Sequence, residues 1–189
     1  ELDTVWLKRV NKIEEDVPLK NVDVIIKKLE KEWLTYPILH IDLNTEKYDT
    51  PASLENKLNR VLVEWEKMYG AEPAETSLAM RFEGIIGRAC EKEGQSVVIL
   101  VDEYDKPMLQ AIGNDVLQES FRNTLKAFYG ALKSKDGCIR FAMLTGVTKF
   151  GKVSVFSDLN NLEDISMRQQ YVEICGISER ELYENFETE

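Results

Sequence analysis

Val97-Val98-Ile99-Leu100-Val101 runs directly into Asp102-Glu103. Five apolar, mostly β-branched residues ending in charge are the pattern of a parallel strand buried on both faces. Ligands of open α/β sheets gather at the C-terminal ends of such strands. Two carboxylates there fit nucleotide hydrolysis: the first would hold Mg²⁺ and the second would orient an attacking water. This is the Walker B pattern. The same residues also fit a plainer reading, a solvated turn after a core strand, in which Asp102, Glu103 and Asp105 carry no chemistry.

A Walker B strand implies a phosphate-gripping partner, Gly-x-x-x-x-Gly-Lys-Ser/Thr, between a strand and a helix N-terminus. One near match exists, Gly146-Val-Thr-Lys-Phe-Gly151-Lys152-Val153. In it Lys152 would neutralise phosphate. Val153 stands where the Mg²⁺-binding hydroxyl belongs, the residues after it do not continue as a helix, and the loop follows the Walker B strand instead of preceding it. It reads as a decoy. A metal-dependent nuclease built on Asp42, Asp102, Glu103 and Asp105 ranks last, because Asp105-Lys106 lacks the spacer of an acid-x-Lys motif.

Composition narrows the field. The chain has 189 residues, 43% hydrophobic and 31% charged, enough for one domain with a sizeable core. Lys plus Arg number 24 against 34 Asp plus Glu, a formal net charge of −10, which opposes non-specific binding to nucleic acid or anionic membrane. No apolar run has the length of a membrane span and no signal peptide is visible, so a cytoplasmic protein is expected. Cys90, Cys138 and Cys175 are far apart and form no Cys-x-x-Cys pair. They read as buried thiols, not a disulfide framework or a zinc site. His40 is the sole histidine and has no second imidazole with which to build a metal site. The first residue is Glu1 and the chain stops within an expected helix, so a piece of a longer chain is expected.

The elements that must position the two acids follow from periodicity. Leu2, Val5, Trp6, Val10 and Ile13 recur at helical spacing, as do Val22, Ile25, Ile26, Leu29 and Trp33 after Pro18. Ile38–Leu43 alternates as a strand. Thr50-Pro51 opens a helix with Leu54, Leu58, Val61, Trp65 and Met68 inward and Gly70 as its stop. Ser77 to Glu93 forms another, with Leu78, Phe82, Ile85, Ile86 and Ala89 inward and Gly94 after it. Asp115 with Gln118 resembles a capping box opening a helix that buries Leu117, Phe121, Leu125, Phe128 and Leu132. Gly137 turns the chain into a second buried strand, Ile139–Leu144. Residues 145–170 are irregular, Tyr171–Cys175 fits a short strand, and Ser178-x-x-Glu181 caps a last helix beginning with Leu182 and Phe186. Strands alternating with helices give an α/β class with a mostly parallel sheet.

Three stretches carry a resemblance: Tyr36-Pro-Ile-Leu-His-Ile-Asp-Leu-Asn44, Val98-Ile-Leu-Val-Asp-Glu-Tyr-Asp-Lys-Pro107, and Leu144-Thr-Gly-Val-Thr-Lys-Phe-Gly-Lys-Val-Ser-Val-Phe-Ser-Asp-Leu-Asn-Asn-Leu162. In this order and spacing, with Cys175-Gly-Ile-Ser-Glu-Arg-Glu-Leu182, the chain resembles the predicted AAA-ATPase-like family of bacterial proteins over roughly residues 29 to 187. Full-length members look like a P-loop ATPase domain followed by a restriction-nuclease-like domain.

The resemblance implies ATP and Mg²⁺ as ligands, Asp102 as the Mg²⁺-associated acid, Glu103 as the water-activating base and Thr145 as the sensor of the γ-phosphate or attacking water. Asn160 and Asn161 lie in the last motif with no assigned role. Family members carry an Arg-Arg-Phe-Gly-Lys-Ser type phosphate loop upstream of the region matching Leu29–Trp33, and residues 1–28 show nothing like it. The expectation is therefore an incomplete three-layer P-loop-NTPase-like fold: a helical segment 1–28, a core 29–177 without Walker A, and the start of a helix at 178–189. In a P-loop strand order of 5-1-4-3-2, Ile38–Leu43, Val97–Asp102 and Ile139–Leu144 would be strands 2, 3 and 4. Such a domain would not hydrolyse ATP alone. The alternative is a non-catalytic interaction or regulatory module on the same fold. The outer edge of Ile139–Leu144 would then be covered by residues 171–175, by an N-terminal helix, by a protein partner or by a second copy.

Overall fold

Three strands, β1 (Ile38–Asp42), β2 (Val97–Asp102) and β3 (Ile139–Leu144), form a parallel sheet in the order β1-β2-β3. The computed structural model describes residues 35–147, 159, 161–166, 168–171 and 182–183. The sheet belongs to a compact unit, Thr35–Leu162, and the described residues beyond it to a second. The three expected strands are contiguous and parallel, the placement that strands 2, 3 and 4 of a P-loop order would have. Residues 1–34 and most of 172–189 lie outside the described residues, and with them the expected N-terminal helices, residues 172–175 and the Ser178–Glu181 cap.

Helices α1 (Pro51–Tyr69) and α2 (Leu78–Glu93) connect β1 to β2. Pro51 pre-sets the first turn of α1. Ser77 caps α2 by accepting the Met80 N–H at 3.2 Å, and Gly94 ends it in the left-handed conformation, φ 67°. Between β2 and β3 come a short helix α3 (Lys106–Gln110), then α4 (Asp115–Tyr129), α5 (Ala131–Ser134) and a 3-10 turn at Asp136–Cys138. The helix cap of α4 is Asn114, whose side chain accepts the Leu117 N–H at 3.1 Å; Asp115 is already helical. The expected capping box is therefore absent, with Leu117 at its third helical position, and a single Asn114 cap takes its place. Asn114 wins because a short amide side chain reaches the third N–H from the position just outside the helix.

Leu39, Ile41, Val97, Ile99 and Val101 are buried and join Leu54, Leu58, Leu62, Phe82, Ile85, Ile86, Phe121, Leu125 and Phe128 in one core. In α1 the inward stripe runs through Leu62, while Met68 is 50% exposed, against expectation. The cross-strand row Leu39, Ile99, Ala142 faces this core, and the row Ile38, Val98, Phe141 faces the other way. A register irregularity between Val97 and Val98 sets Arg140 as the extra residue of β3. Ile38 and Phe141, in the row facing away from this core, are 56% and 52% exposed. Among the described residues no strand pairs with the outer edge of β3.

Polar contacts lock α1 against α2. The last carbonyls of α1 have no intrahelical N–H; Lys92 Nζ donates to Met68 O at 2.7 Å and Arg88 Nε to Tyr69 O at 3.2 Å. Arg81 grips Glu66 with Nε to Oε1 at 2.6 Å and NH2 to Oε2 at 2.9 Å. That bidentate bond holds the Glu66 carboxyl below the usual carboxylate range, against a smaller opposing effect of burial. A carboxylate lowered on folding stabilises the fold above its unfolded pKa, and the contribution is lost as pH falls through the folded value. Glu66→Gln is therefore expected to cost about 1 kcal/mol at neutral pH. The gap from the parent chain should close below about pH 4. Urea melts across pH check this; a gap that stays constant into acid would show that charge plays no part.

In the second unit, Gln169–Tyr171 forms a 3-10 turn where the expected strand was to begin. Arg168 pairs with Glu163, and Ser166 N–H bonds Asp164 Oδ1 at 2.9 Å. Leu182 and Tyr183 are helical, as the spacing predicts.

Candidate functional site

Asp42, Asp102 and Thr145 stand at the C-terminal tips of β1, β2 and β3. Asp42 pairs in register with Asp102, and Val101 with Leu144, which brings Thr145 beside Asp102. The ladder continues past the strands: Leu43 N–H donates to Asp102 O at 3.0 Å, Thr145 N–H to Val101 O at 2.8 Å and Tyr104 N–H to Thr145 O at 2.9 Å. Each backbone bond limits how the tips can move. Thr145 Oγ1 then donates to Asp102 Oδ1 at 2.5 Å. Two residues singled out from separate motifs are in direct contact, and the Asp102 carboxylate, exposed to water, is held in one orientation by that hydroxyl.

Asp42 has a local task. Its Oδ1 accepts the Asn44 N–H at 2.7 Å, closing an Asx turn. Asp105 behaves unlike a solvated turn residue: it is 1% exposed, and its Oδ1 accepts the Val147 N–H at 3.3 Å. The four acids of the nuclease reading therefore point to different tasks. Among the described residues no three His, Cys, Asp or Glu side chains converge on one point. An oxygen-only donor set with one exposed carboxylate still suits Mg²⁺, which keeps several waters and takes one or two protein carboxylates.

Glu103 is the only described non-glycine residue with positive φ, at 55°. The left-handed conformation costs about 1–2 kcal/mol for an L-residue with a Cβ, and such strain persists where surrounding bonds over-determine it. Here Asp102 O and Tyr104 N–H are tied to β1 and to Thr145, and Lys106 N–H closes the turn onto Glu103 O at 3.0 Å. Asn tolerates this conformation better than Glu. Glu103→Asn is expected to be neutral to stabilising by up to about 1 kcal/mol, read from denaturant midpoints. A loss of stability would assign the Glu103 carboxylate a structural bond.

The loop after β1 is tied to the segment after β2. Tyr48 O–H donates to Leu43 O at 2.8 Å, and Tyr48 N–H donates to Gln110 Oε1, also at 2.8 Å. Burial, helped by Glu46 and Asp42, pushes the Tyr48 phenol far above its ordinary value, so it remains a neutral donor. Burial does the same to Tyr129 beside Tyr48, Tyr104 and Asp105. Asn161 from the last motif donates to Leu132 O at 3.1 Å and Asp136 Oδ1 at 3.0 Å, so it fastens that motif to the approach to β3. Lys152, Asn160 and the rest of the near-match loop past Val147 lie outside the described residues. Two open clefts of about 510 Å³ each, one around Glu46 and Arg60 and one around Asn59, Ser77 and Phe128, include neither Asp102, Glu103 nor Thr145.

Sequence reasoning took Gly146 only as the first glycine of the near-match loop, and missed its close approach to the turn after β2 and the burial of Asp105. A Cβ on Gly146 would lie 2.6 Å from Asp105 Oδ1 and 2.7 Å from Tyr104 Cε1. The signal available was the Thr-Gly pair directly after a strand, since glycine there often marks close backbone approach.

A family model described as predicted AAA-ATPase matches residues 15–156. The chain belongs to this family. The match takes in β1, β2, β3 and the residues at their tips; it begins at residue 15, earlier than the motif resemblance, and ends before Cys175–Leu182. An "uncharacterized protein in vnfD 5'region" of Azotobacter chroococcum mcd 1 is 37% identical over 147 residues, 78% of this chain and 28% of that protein. The chain thus spans 28% of that relative's length. No solved structure matches it. No helix among the described residues is long and apolar enough to cross a membrane.

Proposed function

We propose that the strand tips form the metal-side and water-side half of an AAA-ATPase nucleotide site, with Asp102 as the Mg²⁺-associated acid, Glu103 as the base for the attacking water and Thr145 as the sensor. The observation that carries this reading is the Thr145–Asp102 hydrogen bond between the Walker B and sensor strands. When bound, Mg²⁺ would neutralise charge on the transferring phosphoryl group. Asp102 keeps its second carboxylate oxygen for the hydrated ion. Glu103, presented by its left-handed backbone, accepts the proton of the water. The Thr145 hydroxyl has one proton, now donated to Asp102, so contact with a phosphoryl oxygen requires that bond to switch. This exchange would couple the sensor to the metal-binding acid.

The grip on phosphate has to come from a Walker A loop, and within these 189 residues only the Gly146–Val153 decoy resembles one. The chain by itself is therefore expected to bind Mg-ATP more weakly than about 1 mM, about −4 kcal/mol, and not to hydrolyse it. Calorimetry tests the first half: micromolar binding abolished by Lys152→Ala would make the near-match loop a true phosphate site. In a longer chain that turns over ATP, Glu103→Gln should abolish hydrolysis and leave nucleotide binding intact. Unchanged turnover there would remove Glu103 from the mechanism.

No described strand pairs with the outer edge of β3, which favours a second reading, an interaction or regulatory module that meets a protein partner or a second copy along that edge. Light scattering of the parent chain against Phe141→Lys separates the two: a dimer dispersed by the substitution supports the edge as an interface.

A further inference from the structure

Asp105 is the one charged side chain buried among the described residues, at 1% exposure. A buried carboxylate costs stability unless it is hydrogen-bonded, so the direction of its oxygens is informative. Asp105 stands at the N-cap position of α3 yet makes no side-chain cap bond there. Lys106 N–H already bonds Glu103 O, and Pro107 has no N–H to offer. The carboxylate turns to the segment after β3, where Oδ1 accepts the Val147 N–H at 3.3 Å. Gly146 lies against the same oxygen, so close that a Cβ would come within 2.6 Å of it. Tyr104 and Asp105 thus hold three consecutive residues: Thr145 through its carbonyl, Gly146 by contact and Val147 through its amide.

Thr145 is thereby fixed on both sides. Its N–H goes to Val101 O, its carbonyl takes the Tyr104 N–H, and the next two residues rest on Asp105. The backbone cannot carry the hydroxyl toward a ligand, and the motion left is rotation about χ1. We propose that Asp105 is the positioning residue of the sensor. It seats the segment after β3 so that Thr145 presents its hydroxyl to Asp102 and changes partner only by a hop between staggered rotamers. A β-branched side chain has few such wells, so the hop is a discrete switch. Asp105 acts through Thr145 and needs no contact with metal or phosphate. This role deepens, and rests on, the reading of Thr145 as sensor. It gives a buried acid and the glycine facing it one shared task, which the Thr145–Asp102 bond alone does not require.

Two NMR readouts on this chain test it without nucleotide: amide hydrogen exchange, and the three-bond couplings that report Thr145 χ1. In the parent, the Val147 amide should exchange about ten- to hundredfold slower than an unprotected amide, although Val147 is 73% exposed. Thr145 should hold a single rotamer. Asp105→Ala should remove the Val147 protection and average Thr145 over its rotamers, with the amides of α1 and α2 unchanged. Asp105→Asn keeps an acceptor at the Oδ1 position and should restore both signals. Unprotected exchange at Val147 in the parent would overturn the proposal, and that measurement does not rest on any variant folding. A single Thr145 rotamer retained in Asp105→Ala would overturn it too. So would protection lost evenly across all amides, which is the mark of a general stabiliser. ATP turnover enters none of these readouts. A hydrolysing longer chain indifferent to Glu103→Gln would therefore sink the ATPase reading, while the couplings alone decide whether Asp105 seats Thr145.

Discussion

Gly146→Ala is expected to destabilise the fold by about 1–3 kcal/mol and to pull the strand tips apart. The reason is space. The new methyl would sit 2.6 Å from Asp105 Oδ1, 2.7 Å from Tyr104 Cε1 and 2.9 Å from Asp105 Cγ. Neither neighbour can swing into water, since Tyr104 is 4% and Asp105 1% exposed. The relief available is for the end of β3 to move away from β2, and the bonds that then lengthen are Tyr104 N–H to Thr145 O and Thr145 Oγ1 to Asp102 Oδ1. Denaturant melts give the stability, and hydrogen exchange at the Tyr104 amide gives the local opening. Gly137→Ala is the control: a Cβ there meets nothing within 4 Å, so its effect should stay within about 0.5 kcal/mol. Parent-like stability and amide protection in Gly146→Ala would mean that the close approach is not a constraint.

Phe82→Ala should be costlier, about 3–5 kcal/mol, out of a total that for a domain of this kind is about 5–15 kcal/mol. Phe82 is fully buried and lies between two other rings, Trp65 at 5.7 Å and Phe128 at 4.5 Å between centroids, nearly parallel to the latter at 5°. It thereby joins α1, α2 and α4 at one point. Alanine removes the ring and leaves a cavity lined by aromatic faces that cannot collapse without shifting three helices. Phe82→Leu refills most of that volume and should recover more than half of the loss. The denaturant midpoints of the three chains decide it. A cost under about 1 kcal/mol for alanine would show that the helices close over the gap.

Much of the scaffold was legible locally. Ile38–Asp42, Val97–Asp102 and Ile139–Leu144 are strands where alternation and β-branched runs place them. The α1 and α2 boundaries follow Pro51, Ser77 and Gly94. Misses fell where two local choices are nearly equal. Asn114 and Asp115 are both good caps, and the choice between them depends on which backbone N–H is in reach. Leu62 and Met68 both lie near the apolar stripe of α1, and only Leu62 is buried. Helix α3 was not expected, because five residues after a charged turn carry too little periodicity to read.

The acids at the end of β2 divide the same way. Sequence alone determined that Asp102 and Glu103 end a core strand, because a run of apolar β-formers must be buried and charge must stop it. It also determined that Thr145 follows another strand; that strand, expected to be buried, is half-buried with Arg140 and Phe141 exposed. Only the tertiary structure decided that Thr145 bonds Asp102, that Asp105 turns inward to the Val147 amide, and that Glu103 takes a left-handed backbone. Those facts depend on which strands lie side by side and in what register. Register is set by long-range packing of both sheet partners against the helices, which no window of neighbouring residues contains.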